Sequence, residues 1–174
     1  MSNFDAISDR DAMRRLLAGA AKTVIDCRYC WLFTAASGAS ARPMGVVARA
    51  LDPEDWTLSF VTDGRSRKAG EIRQTPDISL VFQRDPEDAF VKLSGAVALQ
   101  DNREEVSRRW KSAYDRYFPT ETDRSNAVFV DVRIERMDLW IRGVTPEPFG
   151  LQATTLERDG DGPWRLAEDT RQNK

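Results

Sequence analysis

The chain has 174 residues, 41% of them hydrophobic and 31% charged, which is about one domain's worth of material and excludes a disordered or collagen-like chain. Lys plus Arg number 26 against 28 Asp plus Glu, a formal net charge of -2, so general binding to nucleic acid or acidic membranes is disfavoured. There is no histidine, which removes Ser-His-Asp and Cys-His nucleophilic pairs, imidazole proton shuttles and every zinc site that needs a His ligand.

No stretch approaches the roughly 20 apolar residues of a membrane span, and MSNFDAISDRD lacks the basic start and apolar run of a signal peptide, so the expected location is the cytoplasm. From Ser8, the expected N-cap, Met13, Leu16, Leu17, Ala20, Val24 and Ile25 recur at helical spacing, with Asp9 and Asp11 complementing the first turn. Cys27 and Cys30 follow as C-x-x-C. The redox reading of that spacing needs the pair at a helix start after a strand, and a tetrahedral metal site needs two further ligands; neither context is present. No metal site is expected.

Short apolar and β-branched runs then predict strands over Trp31 to Ala35, Met44 to Leu51, Thr57 to Thr62 and Ile78 to Gln83. Ser37-Gly38-Ala39-Ser40 and Asp52-Pro53-Glu54-Asp55 are short enough for hairpin connections. Phe90 to Leu99 is a further strand, with Gly95 as a bulge or bend. Asp101-Asn102-Arg103-Glu104 reads as a helix start, and Val106, Trp110, Ala113, Tyr114 and Tyr117 as its stripe up to Pro119. Val128, Val130, Val132 and Ile134 alternate with Phe129, Asp131, Arg133 and Glu135 in a half-buried strand that continues to Ile141. Thr154 to Glu157 and Trp164 to Ala167 flank Asp159-Gly160-Asp161-Gly162 as a terminal hairpin.

Many short strands, few helices and no strand-helix-strand alternation predict an α+β domain built on an antiparallel, barrel-like sheet with flanking helices. The domain covers 1–174, its core about 8–145 and its C-terminal hairpin and tail 146–174.

The most informative local feature is Thr62-Asp63-Gly64-Arg65-Ser66-Arg67-Lys68, where a strand ends in a Gly turn and a short helix starts at Ser66, with Ile72 as its apolar anchor. Arg67 and Lys68 then sit in a first turn, where cations are unfavourable by roughly 0.3 to 1 kcal/mol each. A bound phosphate would compensate, because free N–H groups, the Ser66 hydroxyl and two cations would converge on one anion. Charged residues that merely keep an exposed turn soluble fit the same pattern.

Arg42-Pro43-Met44 at one strand start, Phe60-Val61-Thr62 closing the next, Ser66-Arg67-Lys68-Ala69 and Pro76-Asp77-Ile78-Ser79-Leu80-Val81-Phe82 occur in that order. The series resembles the FMN-binding split-barrel superfamily of pyridoxamine 5'-phosphate oxidase, and is most similar to its general stress protein branch. The resemblance covers about Leu16 to Trp140. It implies a split β-barrel and an FMN cofactor, with Ser66, Arg67 and Lys68 on the phosphate and Val61 and Thr62 beside the flavin. Arg42, Pro43 and Met44 would lie on the neighbouring strand, Arg42 and Met44 approaching the isoalloxazine edge. Trp140 matches the position from which a second chain's tryptophan reaches the flavin, which implies a homodimer with FMN at the subunit interface.

The departures from the oxidase pattern argue against pyridoxamine phosphate oxidation. Val47 stands where the oxidase has a substrate lysine, Phe90 replaces a flavin-contacting glutamine, and its Arg-x-His has no counterpart, with Gly150 where the arginine is expected. What the resemblance implies is a flavin-dependent oxidoreductase, with NADH or NADPH as a possible reductant and an unidentified small molecule as substrate. The alternative is a non-catalytic flavin-binding stress protein that stores or senses FMN. A deazaflavin or haem in the barrel is a weaker reading, haem least of all without a histidine. No catalytic side chain is identified.

Overall fold

A computed structural model describes residues 3–34, 40–45 and 49–167, with side chains over 9–34 and 51–167. Its first helix, α1 (Asn3–Asp26), starts ahead of the expected Ser8 cap. Neither Gly nor Pro interrupts residues 3–8, so nothing halts the helix at the serine. Leu16, Ala20 and Val24 meet the core, whereas Ile25, expected on the same face, is exposed. Cys27 and Cys30 are buried in that core, the Cys27 thiol donating to the Gln83 carbonyl at 3.4 Å.

The strands are β1 (Tyr29–Thr34), β2 (Ser40–Gly45), β3 (Arg49–Asp52), β4 (Thr57–Asp63), β5 (Asp77–Arg84), β6 (Ala89–Gln100), β7 (Ala127–Ile141), β8 (Thr154–Glu157) and β9 (Arg165–Leu166). Their hydrogen-bonded order is β2-β1-β5-β6-β7-β4-β3, with β8 on β7 and β9 on β8. β2 and β3 therefore lie at opposite edges, yet only residues 46–48 separate them. That link reaches at most about 15 Å, while seven strands laid flat would hold the edges roughly 29 Å apart. The sheet must roll until its edges come within that reach, which makes it an antiparallel, barrel-like sheet in an α+β domain. The single strand expected over Met44 to Leu51 is accordingly two strands with different partners, β2 on β1 and β3 on β4. Of the Ser37-Gly38-Ala39-Ser40 turn, Ser40 begins β2 and the rest lies outside the described residues.

β7 explains why the barrel is split. One edge of its first half, Ala127–Arg133, pairs with β4, while Arg136–Leu139 pairs with β8. The changeover coincides with a bulge, since β6 Ser94 faces Arg136 but Gly95 faces Ile134, leaving Glu135 as the extra residue. A Cβ on Gly95 would stand 1.9 Å from the Arg133 carbonyl oxygen, so only glycine admits this approach. The bulge also inverts the alternation: Val130, Val132 and Ile134 are buried before it, Met137, Leu139 and Ile141 after it. Trp140 is thereby turned away from the core.

Arg158 fills the fork. It is buried, and its guanidinium donates to the carbonyls of Ile134 at 2.8 Å and Asp55 at 2.5 Å. Burial lowers its pKa from the usual arginine value. Its side chain also lies over the Trp164 ring, 4.9 Å from the centroid, and Trp164 meets Trp56 edge-on. The expected terminal hairpin is thus part of the barrel wall rather than an appendage.

Helix α3 (Arg103–Arg109) begins as expected, with the Asn102 side chain accepting from the Glu104 and Glu105 amides. The stripe projected to Tyr117 does not continue it. Trp110 is already extended, and a single 3-10 turn covers Ser112–Tyr114. The aromatic residues at four-residue spacing are satisfied by packing instead: Trp110 meets Tyr114 and Phe118 edge-on, and Tyr114 meets Phe129. These rings, with Val61, Val106 and Ala127, make a second small core outside the barrel. Helix α4 (Glu121–Ser125) is absent from the expected elements, although Thr120 and Asp123 form a capping box.

Candidate functional site

The element after β4 is assembled by its own turn. Asp63 accepts from the Arg65 amide at 2.7 Å and from its guanidinium at 2.6 Å, and the Arg65 side chain holds the Asp63 carboxyl below the usual carboxylate pKa. Arg65 also reaches Asp123 at 3.6 Å, so this cation braces α4. Gly64 donates to the Asn126 carbonyl at 2.7 Å and accepts from Arg73 at 2.8 Å. Space is limited there, because a Cβ on Gly64 would come within 3.1 Å of the Asn126 carbonyl oxygen.

Helix α2 (Arg67–Gln74) follows, capped by Ser66, whose hydroxyl oxygen accepts from the Ala69 amide at 3.2 Å. Buried Ala69 and Ile72 anchor it to the barrel. Its first turn contains no acid, while Arg67 and Lys68 are both there. Arg67 lies 3.4 Å from Glu71 through Nε, and Lys68 Nζ stands 5.5 Å from the centre of the buried Phe60 ring. Two cations at the positive end of a helix dipole favour an anion there.

Ser66, Arg67, Lys68 and the end of β4 are therefore contiguous. Thr62 is buried and pairs with Val128, while Val61 pairs with Phe129 and its side chain is committed to the second core. Arg42, Pro43 and Met44 lie on β2 opposite Leu32, Trp31 and Cys30 of β1; their side chains lie outside the described residues. Asp63 pairs with Ala127 at one end of β7, and Trp140 is near the other end, roughly 40 Å away along the strand. Trp140 faces Phe90 across β6.

A family model described as pyridoxamine 5'-phosphate oxidase like matches residues 17–151. The chain belongs to that family. No curated protein matches it in sequence. Among solved structures, a protein from Clostridium acetobutylicum related to general stress protein 26 is similar, with a TM-score of 0.67 and 15% identity over 84% of this chain and 97% of that one. General stress protein 26 of Bacillus anthracis has a TM-score of 0.59 and 14% identity, covering 88% and 99%. A pyridoxamine 5'-phosphate oxidase-related, FMN-binding protein of Nostoc punctiforme has a TM-score of 0.60 and 16% identity, covering 96% and 97%. These likenesses bear out the split-barrel fold.

The stretch matched to the oxidase-like family ends before β8, so it contains α2 and Trp140 but not the terminal hairpin. In this oxidase-like chain an open cleft of about 410 Å³ lies beside α2, lined by Phe33, Thr34, Ser79, Ser94, Gly95 and Arg136. Its link to the helix is a hydrogen bond from the Thr34 hydroxyl to Glu71 at 2.6 Å. Sequence reasoning missed Thr34 and Glu71. The four-residue spacing of Arg67 and Glu71 was visible, but the strand partner is 37 residues away.

Proposed function

We propose that the chain binds FMN and acts as a flavin-dependent oxidoreductase on a small molecule, distinct from pyridoxamine phosphate oxidase. The observation that carries the reading is α2, where Arg67 and Lys68 occupy an acid-free first turn capped by Ser66. The donor set suits a phosphate monoester: two cations, helix N–H groups, and a hydroxyl that accepts from Ala69 while its own hydrogen can be given away. Val61 and Thr62 supply the adjoining wall, with Arg42, Pro43 and Met44 approaching from β2. When bound, FMN supplies the hydride or electron transfer; the protein's part is to hold and orient it. NADH or NADPH is the reductant in this reading, which carries with it a cytoplasmic location. Among the described residues no helix is long and apolar enough to cross a membrane.

Two chains are part of the proposal. Trp140 lies near the end of β7 opposite to the one where Asp63, the residue leading into α2, is paired. A homodimer would set Trp140 of one protomer against α2 of its partner, with FMN between them.

Titration with FMN and with riboflavin tests the reading. FMN binding at one per chain with a clear preference over riboflavin is expected; equal or absent binding overturns the phosphate site. Anaerobic NADH or NADPH should then bleach the bound flavin and air restore it. A flavin inert to both reductants would leave a storage or sensing protein.

A further inference from the structure

We propose that Thr34 and Glu71 are positioning residues that hold the Arg67 guanidinium ready for the phosphate of the bound mononucleotide, an inference that rests on the phosphate reading of α2. Thr34 ends β1 and is 2% exposed, and its hydroxyl donates to Glu71 Oε2 at 2.6 Å. The other oxygen of that carboxylate, Oε1, meets Arg67 Nε at 3.4 Å. Exposure rises along the chain of contacts, from the buried threonine through a Glu71 side chain at 16% to an Arg67 side chain at 72%. One end is fixed in the barrel and the other reaches solvent.

Ordinary helix stabilisation does not account for this arrangement. An arginine followed by a glutamate four residues later is the weaker orientation of such a pair, because each charge opposes the helix dipole. An exposed pair of that kind adds little by itself. What distinguishes Glu71 is that its two oxygens are divided, one to a neighbouring strand and one to the cation. Arginine has many rotamers to lose when it grips an anion, and restricting them beforehand raises affinity without adding a contact to the ligand.

The test is a double-mutant cycle read as selectivity, the ratio of FMN to riboflavin affinity. Thr34→Val keeps the side-chain shape but removes the donor, and should lower selectivity roughly three- to tenfold. Thr34→Ser keeps the hydroxyl and should retain it. In an Arg67→Ala background Thr34→Val should cost nothing further, since the residue it positions is gone. Thr34→Ala removes the same hydroxyl without placing a new methyl and must behave as Thr34→Val does.

Selectivity that stays at the wild-type value in Thr34→Val and Thr34→Ala would overturn the proposal. So would an equal loss with and without Arg67, because the hydroxyl would then act elsewhere. A threonine that merely supports the fold would weaken both ligands alike and leave the ratio unmoved. The phosphate reading fails separately, through a wild-type protein that does not prefer FMN, and the inference falls with it.

Discussion

Trp140 on β7 stands directly across from Phe90 on β6, both on the outer face of the sheet and both partly exposed. Tyr29 and Trp31 on β1 lie on that face as well, 55% and 51% exposed. Such a concentration of aromatic surface suits a partner, and the dimer proposed above gives Trp140 its role at the partner's flavin. The arrangement is testable by complementation. Lys68→Ala and Trp140→Ala chains should each bind FMN weakly alone, yet their mixed dimer should recover one tight site of two, since one site then has both residues intact. A mixed dimer with no tight site would put both residues in the same chain's pocket.

Lys68 itself gives the more local prediction. It lies in the first turn of α2, and in the proposed site a lost cation removes a charge-assisted contact to phosphate but none to the ring. Lys68→Ala should weaken FMN by about ten- to a hundredfold, equivalent to roughly 1.5 to 3 kcal/mol. Riboflavin affinity should not change. Parallel fluorescence titrations decide it, and equal weakening of both flavins would count against the assignment.

Gly95 sets where Trp140 points. Because a Cβ at this position would stand only 1.9 Å from the Arg133 carbonyl oxygen, Gly95→Ala must push β6 away from β7 or erase the bulge. The expected cost is about 3 kcal/mol or more, in the range of the largest single-residue effects. Urea unfolding measures it. Wild-type stability in Gly95→Ala would mean that the strands part easily there, and that the bulge does not hold Trp140 on the outer face.

Much of this is legible in the sequence, for reasons that differ by residue. Ser66 announces a helix start because its capping chemistry is local, and Gly95 a bulge because only glycine tolerates a backbone so close. The parity change from Val130, Val132 and Ile134 to Met137, Leu139 and Ile141 is also in plain view, yet a single continuous alternation to Ile141 passes over it. Nonlocal choices are hidden. Trp110, Tyr114 and Phe118 have helical spacing, but edge-on packing on Phe129 replaces the helix. Nothing near Met44 indicates that one apolar run will be shared between both sheet edges. Thr34 and Glu71 meet only because β1 ends beside α2.

Asp131 ties these outer pieces to the barrel and yields a pH dependence. It lies on β7, accepts from Ser59 of β4 at 2.6 Å, and receives both terminal nitrogens of Arg109 from α3 at 2.7 and 2.9 Å. Arg109 also covers the Phe129 ring at 4.2 Å, so the pair closes the second core that holds Val61. Burial alone would raise the Asp131 carboxyl, but the hydrogen bonds from Arg109 and Ser59 outweigh it and hold the pKa below the ordinary 3.8. A carboxyl depressed by folding contributes its stability fully above the unfolded value, and loses it as pH falls through the lower folded value. Asp131→Asn should therefore cost about 1 to 3 kcal/mol at neutral pH. The gap to the wild type should narrow below about pH 4. Urea midpoints at neutral and progressively lower pH measure both. A gap that stays constant as the solution is acidified would mean that shape, not the carboxylate charge, is what Asp131 contributes.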